Sequence, residues 1–161
     1  MEPVLELRGR EPTAADYPNL PYALAVFEET LRLYPPVVNI VRTALEPDTL
    51  AGRLLPGGSN VVIPTYALHR HPAFWDNPEG FDPTRMLPEG RKGQHRFAYI
   101  PFSAGPRFCI GESFAWTEGL LALTTIARRW RPRLVAGHRV EPQPLITLRP
   151  RQGIRMRLER R

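Results

Sequence analysis

The sequence predicts a mainly α-helical protein with small β-sheets, an α+β domain. Three observations carry that expectation. Two long segments, residues 19–34 and 110–130, hold apolar residues at helical spacing. Short segments of alternating apolar and polar residues are bounded by proline and glycine, the pattern of brief strands between turns. Nineteen prolines in 161 residues interrupt the rest and leave no room for long strands.

In chain order, residues 1–18 are polar and broken by Pro3, Pro12 and Pro18, and read as a helix end or linker. Asn19 is placed to cap the first long helix, with Pro21 in its first turn, where a missing N–H costs nothing. Pro35 and Pro36 stop that helix after about Tyr34. Residues 37–43 read as a strand. Residues 49–64 read as two short strands around the turn Pro56-Gly57-Gly58. One or two helical turns are expected over 65–76, and a long ordered loop over 77–108, kept ordered by the aromatics near its end. The second long helix, 110–130, is apolar around most of its circumference through Phe114, Trp116, Leu120, Leu121, Leu123 and Ile126. Such a helix needs burial on more than one side. Glu112 near its start and Arg128 and Arg129 near its end suit the macrodipole. The remainder reads as short strands, with residues 153–158 alternating apolar and basic side chains.

Length and composition fit one globular domain, residues 1–161, able to bury a core. The chain holds no stretch of 18 apolar residues and no secretory leader pattern, so neither a membrane span nor export is expected; with one thiol, a reducing cytoplasm is. The net charge is +6. From Arg128 onward there are eleven arginines against Glu141 and Glu159, and Lys92 is the only lysine. This arginine bias fits the codon usage of a GC-rich bacterial genome. The basic run carries no nucleic-acid motif and little aromatic interleaving, so no nucleic-acid partner is expected. A basic surface does suit an acidic protein partner.

The single cysteine is the most informative residue. One thiol forms no internal disulfide and no multi-cysteine zinc site. It sits in Phe102-Ser-Ala-Gly105-Pro-Arg107-Phe-Cys109-Ile-Gly111, directly before the second long helix. There it faces unpaired backbone N–H groups and the positive end of the helix dipole, a setting suited to a metal-binding sulfur. Gly105 and Gly111 lack a Cβ and let a flat body approach. Arg107 puts a fixed positive charge two residues away. Alone, a single cysteine is better explained as a small buried apolar residue. His69, His71, His95 and His138 have no cysteine or carboxylate at ligand spacing and read as structural or exposed.

The pattern Phe-x-x-Gly-x-Arg-x-Cys-x-Gly, followed by Ala115, resembles the haem-binding loop of the cytochrome P450 family of haem-thiolate monooxygenases. Glu29-Thr-Leu-Arg32 resembles the family's Glu-x-x-Arg helix, and Phe81-Asp-Pro-Thr-Arg85 its Phe-x-Pro-x-Arg segment. From spacing alone, Glu29 and Arg32 at i, i+3 are a surface ion pair worth a few tenths of a kcal/mol, roughly. The resemblance instead implies a Glu29–Arg32–Arg85 cluster that ties the loop to the helix. Thr84 and Met86 depart from the family's usual glutamate and aromatic. The resemblance also implies haem b (iron protoporphyrin IX) with Cys109 as axial iron ligand, and Arg107 and Arg42 on its propionates. It implies that Phe102 packs near the sulfur and that Gly105, Gly111 and Ala115 face the cofactor. Val37, Val38, Asn39 and Ile40 border the substrate chamber, with residues 145–148 as a second wall.

The implied activity is insertion of one atom of O2 into a small hydrophobic organic substrate, by hydroxylation or epoxidation, with electrons from an acidic donor such as a ferredoxin or flavin reductase. The resemblance runs from about Pro12 to the end and corresponds to the C-terminal part of the family fold, without the distal helix that handles oxygen. A truncated, catalytically inactive haem-binding remnant is the alternative, and this portion alone is expected to be inactive and unstable or adhesive.

Overall fold

The computed structural model describes residues 10–161. The part of the 1–18 linker expectation that concerns residues 1–9 lies outside them. Residues Ala14–Asn19 form a 3-10 helix, with Asp16 accepting from the Thr13 backbone N–H at 2.8 Å. The Arg10 guanidinium and the Thr13 backbone hold the Asp16 carboxyl well below the usual carboxylate range. Helix α1 follows over Pro21–Leu33. Its cap is Leu20, with no side-chain hydrogen bond, and Asn19 ends the preceding 3-10 helix instead. The expected Asn19 cap is therefore corrected. Pro21 supplies no N–H, and the turn is held by Leu24 N–H donating to Leu20 C=O at 3.0 Å.

Strands are short and paired in twos. β1 (Ile40–Thr43) pairs antiparallel with β4 (Asn60–Ile63), placing Ile40 opposite Ile63 and Arg42 opposite Val61. Between them β2 (Asp48–Leu50) and β3 (Arg53–Leu55) form a hairpin. Its turn is Ala51-Gly52, both at positive φ (50° and 76°), the geometry that follows strand twist in a two-residue loop. Two expectations change here. Residues 37–39 precede the strand, which begins at Ile40, and the Pro56-Gly57-Gly58 turn joins strands that belong to different sheets. Turn residues mark where the chain bends; which strands then pair depends on what each packs against.

The single-turn helix α2 (Thr65–Leu68) leads into the long loop, where Pro83–Met86 form a second 3-10 helix. Helix α3 spans Glu112–Arg129. The C-terminal strands β5 (Trp130–Leu134) with β8 (Met156–Arg160), and β6 (Pro142–Pro144) with β7 (Leu148–Pro150), form two further antiparallel pairs. No helix of the described residues is long and apolar enough to cross a membrane.

Two small cores flank α1. On one side Ala25 packs with Trp75, Met86 and Ala98 of the long loop. On the other Leu20 and Ala23 pack with Leu120 of α3. The long loop is thus ordered by burying its aromatic and apolar anchors against α1. Helix α3 differs from its sequence expectation: Leu120 and Thr124 are its only buried residues, while Phe114 stays 70% and Ile126 48% exposed. Among the described residues, α1, the first 3-10 helix and Phe102 of the cysteine loop pack against it, and Phe114 and Ile126 stay exposed.

Candidate functional site: a cysteine cleft and the ion cluster behind it

Helix α1 buries two charged residues completely. Glu29 and Arg32 are both 0% exposed. Arg32 Nε donates to Glu29 Oε2 and Arg32 Nη2 to Oε1, each at 2.8 Å, a bidentate pair. Its remaining N–H groups reach backbone carbonyls: Nη1 to His69 at 2.8 Å and Pro78 at 2.6 Å, and Nη2 to Gly80 at 2.9 Å. All five guanidinium N–H donors have an acceptor. The guanidinium also lies 5.0 Å from the Trp75 ring centroid. Arg85 joins through Nε, 3.2 Å from Glu29 Oε1, and the Asp82 N–H donates to the same oxygen at 2.9 Å. The structure brings Glu29, Arg32 and Arg85 together, so the loop is pinned to α1 from residue 69 to residue 85.

Beyond this cluster the loop runs to the cysteine. Ser103 N–H donates to Ile100 C=O at 3.1 Å, Phe108 N–H to Gly105 C=O at 3.0 Å and Cys109 N–H to Phe102 C=O at 3.0 Å. These bonds fold residues 100–109 into a tight double turn. Gly105 adopts φ 71°, which its missing Cβ permits without strain. Ser103 adopts φ 68° with a Cβ, a strained left-handed conformation. Its Oγ accepts from Arg42 Nη2 at 2.9 Å. Cys109 lies two residues before the α3 cap, Gly111, and its carbonyl accepts from Glu112 N–H at 3.3 Å.

The sulfur is exposed and lines a cleft of about 640 Å3 between α1 and α3. Phe27 and Leu31 of α1, Val37, Ile40, Phe102 and Arg107 contribute from one side, and Ala115, Glu118, Gly119 and Ala122 of α3 from the other. Of the sequence-predicted residues, Cys109, Arg107, Phe102, Ala115, Val37 and Ile40 therefore meet in one cleft. Val38 and Asn39 do not line it. Gly105 and Gly111 shape the loop beside it rather than its wall. Arg42 lines an adjoining apolar cleft of about 360 Å3 that shares Ile40 and Ser103 with the first. Leu145 and Ile146 are 63% and 97% exposed, and their loop is fastened by Leu148 N–H donating to Pro36 C=O at 2.8 Å.

Sequence reasoning missed Phe27, Leu31, Ser103, Glu118, Gly119 and Ala122. A signal for most of them existed. Phe27 and Leu31 are four apart on α1, while Glu118, Gly119 and Ala122 stand three, four and seven residues beyond Ala115, on one face of α3. Gly119 sits where a Cβ would come within 2.2 Å of the Phe27 ring, so only glycine admits that ring as placed. The Trp116 ring is edge-on to both Phe27 (5.4 Å) and Phe102 (5.1 Å).

The residues present suit an iron porphyrin. The sulfur shares a mainly apolar cleft with Arg107 in its lining. At Gly111 an added Cβ would lie 3.8 Å from the sulfur, an ordinary contact, and at Gly105 it would meet open space, so glycine is required at 105 by its positive φ rather than by crowding. No group of three or more His, Cys, Asp or Glu side chains capable of holding a bare metal ion occurs among the described residues.

The family model described as Cytochrome P450 matches residues 1–156. The chain belongs to the cytochrome P450 family. Cyclooctatin synthase of Streptomyces melanosporofaciens is 48% identical over 142 residues, covering 88% of this chain and 31% of that protein. Cytochrome P450 4V2 of Homo sapiens is 41% identical over 163 residues, covering all of this chain and 31% of that one. Among solved structures, a retinoic acid-bound cyanobacterial P450 superposes with a TM-score of 0.92 at 30% identity, covering 99% of this chain and 37% of that one. The fold is the P450 fold, and the chain spans about a third of the length of the relatives it matches. The family is one of haem proteins with a cysteine ligand, in keeping with the exposed Cys109 sulfur.

Proposed function

We propose that this P450 chain forms the cysteine-ligand part of a haem-thiolate monooxygenase that inserts one oxygen atom of O2 into an apolar organic substrate. The observation that carries the reading is the exposed Cys109 sulfur in an apolar cleft between α1 and α3, on a loop held by the Phe102 and Gly105 carbonyls. Haem b, when bound, supplies oxygen activation, to which an axial thiolate contributes electron density.

The chain's own residues ligate, orient and enclose. Cys109 would hold the iron through its sulfur. Arg107, in the cleft lining, would hold one propionate and Arg42, held by Ser103 in the adjoining cleft, the other, each as a charge-assisted contact. Phe102 lines the cleft with the sulfur, and Trp116 backs the Phe102 ring from α3. Val37, Ile40 and the 145–148 loop form part of the substrate wall, whose apolar character fits a hydrocarbon-like substrate. A relative 44% identical over 131 residues is named cyclooctat-9-en-7-ol 5-monooxygenase, and it supports this class. Electrons come from an acidic donor, matched to the arginine-rich C-terminal part of the chain. The lone thiol and arginine bias support a bacterial cytoplasmic setting.

Haem titration tests the assignment. The reduced, carbon monoxide-bound protein should show a thiolate-type absorption spectrum that Cys109→Ser removes entirely. A colourless protein, or a spectrum unchanged by that substitution, overturns it. The uncovered face of α3, with Phe114 exposed, favours a second reading in which haem is held without turnover. A thiolate-type spectrum without product formation from any apolar substrate would select it.

A further inference from the structure

His69 links the two halves of the site. It is fully buried, no carboxylate pairs with it, and its ring Nδ1 has no hydrogen-bond partner. Its backbone carbonyl accepts from Arg32 Nη1 at 2.8 Å, so it belongs to the ion cluster. Its ring Nε2 lies 2.9 Å from the Ile100 N–H, which can only donate, so Nε2 must carry a lone pair. Ile100 is the first residue of the double turn: its carbonyl accepts from Ser103, and two residues on Phe102 C=O accepts from Cys109 N–H. The ring also packs against Tyr99, with centroids 5.3 Å apart and planes tilted by 32°. One residue thus touches the cluster with its backbone and the cysteine loop with its side chain.

We propose that His69 is a positioning residue for Cys109: its neutral imidazole, protonated on Nδ1, holds the Ile100 amide through Nε2 and transmits the rigidity of the Glu29–Arg32 pair to the loop that presents the sulfur. Its bearing on haem ligation rests on the function proposed above; the coupling to the loop does not. Burial disfavours the imidazolium and pushes His69 down to about 4, so the accepting form persists at neutral pH. The charged groups nearest the ring are Arg32 and Arg70, both of which also disfavour the cation.

The test uses the full polypeptide. Nitrogen NMR of 15N-histidine-labelled protein at neutral pH should show His69 as the Nδ1–H tautomer; an Nε2–H tautomer overturns the proposal. This measurement needs no variant. Amide hydrogen exchange is then compared in His69→Gln, whose side-chain oxygen can accept in place of Nε2, and His69→Leu, which cannot. Ile100 and Cys109 should exchange about tenfold faster or more in the leucine variant and near the native rate in the glutamine variant. Equal exchange in all three proteins overturns the coupling. In haem-loaded protein the leucine variant should lose thiolate-type spectrum that the glutamine variant keeps. If native protein shows no such spectrum while tautomer and exchange come out as expected, the haem assignment fails and the positioning role stands.

Discussion

Arg32, the α1 residue that pins the start of the long loop, and Cys109, at the loop's far end, are in opposite circumstances. The Arg32 guanidinium is wholly buried with five satisfied donors, whereas the Cys109 sulfur is exposed with only its backbone fixed. A buried charge with every partner in place has one arrangement, because losing any partner leaves a desolvated group unpaired. An exposed sulfur on a short turn can face a cleft and still be held to within a fraction of an ångström by its neighbours. Rigidity is concentrated at the buried cluster, and the cysteine side is left as an open cleft.

The comparison breaks most severely at the cluster. Arg32→Ala strands the Glu29 carboxylate in the interior and should cost about 3–5 kcal/mol, measured by urea unfolding, with haem incorporation abolished. Arg32→Lys should rescue little, since three donors cannot replace a five-donor fork. Normal haem content in the alanine variant would contradict the idea that the cluster holds the cysteine loop.

Acid attacks the junction next. His69 is held at about 4 against an ordinary value near 6.5, chiefly by burial. The unfolded chain then binds the proton more readily than the folded one. The full stability is present above about pH 6.5 and falls as pH drops toward 4, by about 3 kcal/mol in total. His69→Gln should remove this part of the pH dependence of the urea midpoint; an unchanged slope between pH 6.5 and 4 excludes it.

Two smaller changes probe the cleft itself. Gly119→Ala gains helix propensity but pushes the Phe27 ring aside, for a net loss of about 1 kcal/mol. Trp116 fluorescence should report the displaced ring, and an unaltered emission spectrum would show that the ring has room to move. Ser103→Ala keeps the strained backbone and removes the Arg42 anchor, at about 1 kcal/mol or less. Thermal unfolding should detect it, and weaker haem retention should accompany it if Arg42 contacts a propionate.

Much of this was legible in order along the chain. The Cys109 loop, the two long helices and the Glu29, Arg32 and Arg85 positions can be read because each depends on local spacing or on a motif a few residues long. Asn19 misled because capping depends on where the preceding 3-10 helix ends, and that helix runs through Asn19. The Pro56-Gly57-Gly58 turn was legible, but the partner of the strand after it was not, since β4 pairs with β1 across the hairpin. His69 was indistinguishable from the three other histidines.

The sequence by itself determined the family, the place of the single cysteine and the charges available to the cluster, because those are matters of residue type at fixed separation. Only the tertiary structure decided that Glu29 and Arg32 are buried rather than solvated, that Phe27 meets Gly119, that Arg42 leans on Ser103, and that one histidine of four bridges cluster and cysteine. Each of these is a contact between segments tens of residues apart. Its existence depends on which surfaces exclude water together, a property of the packed chain that no short window of residues contains.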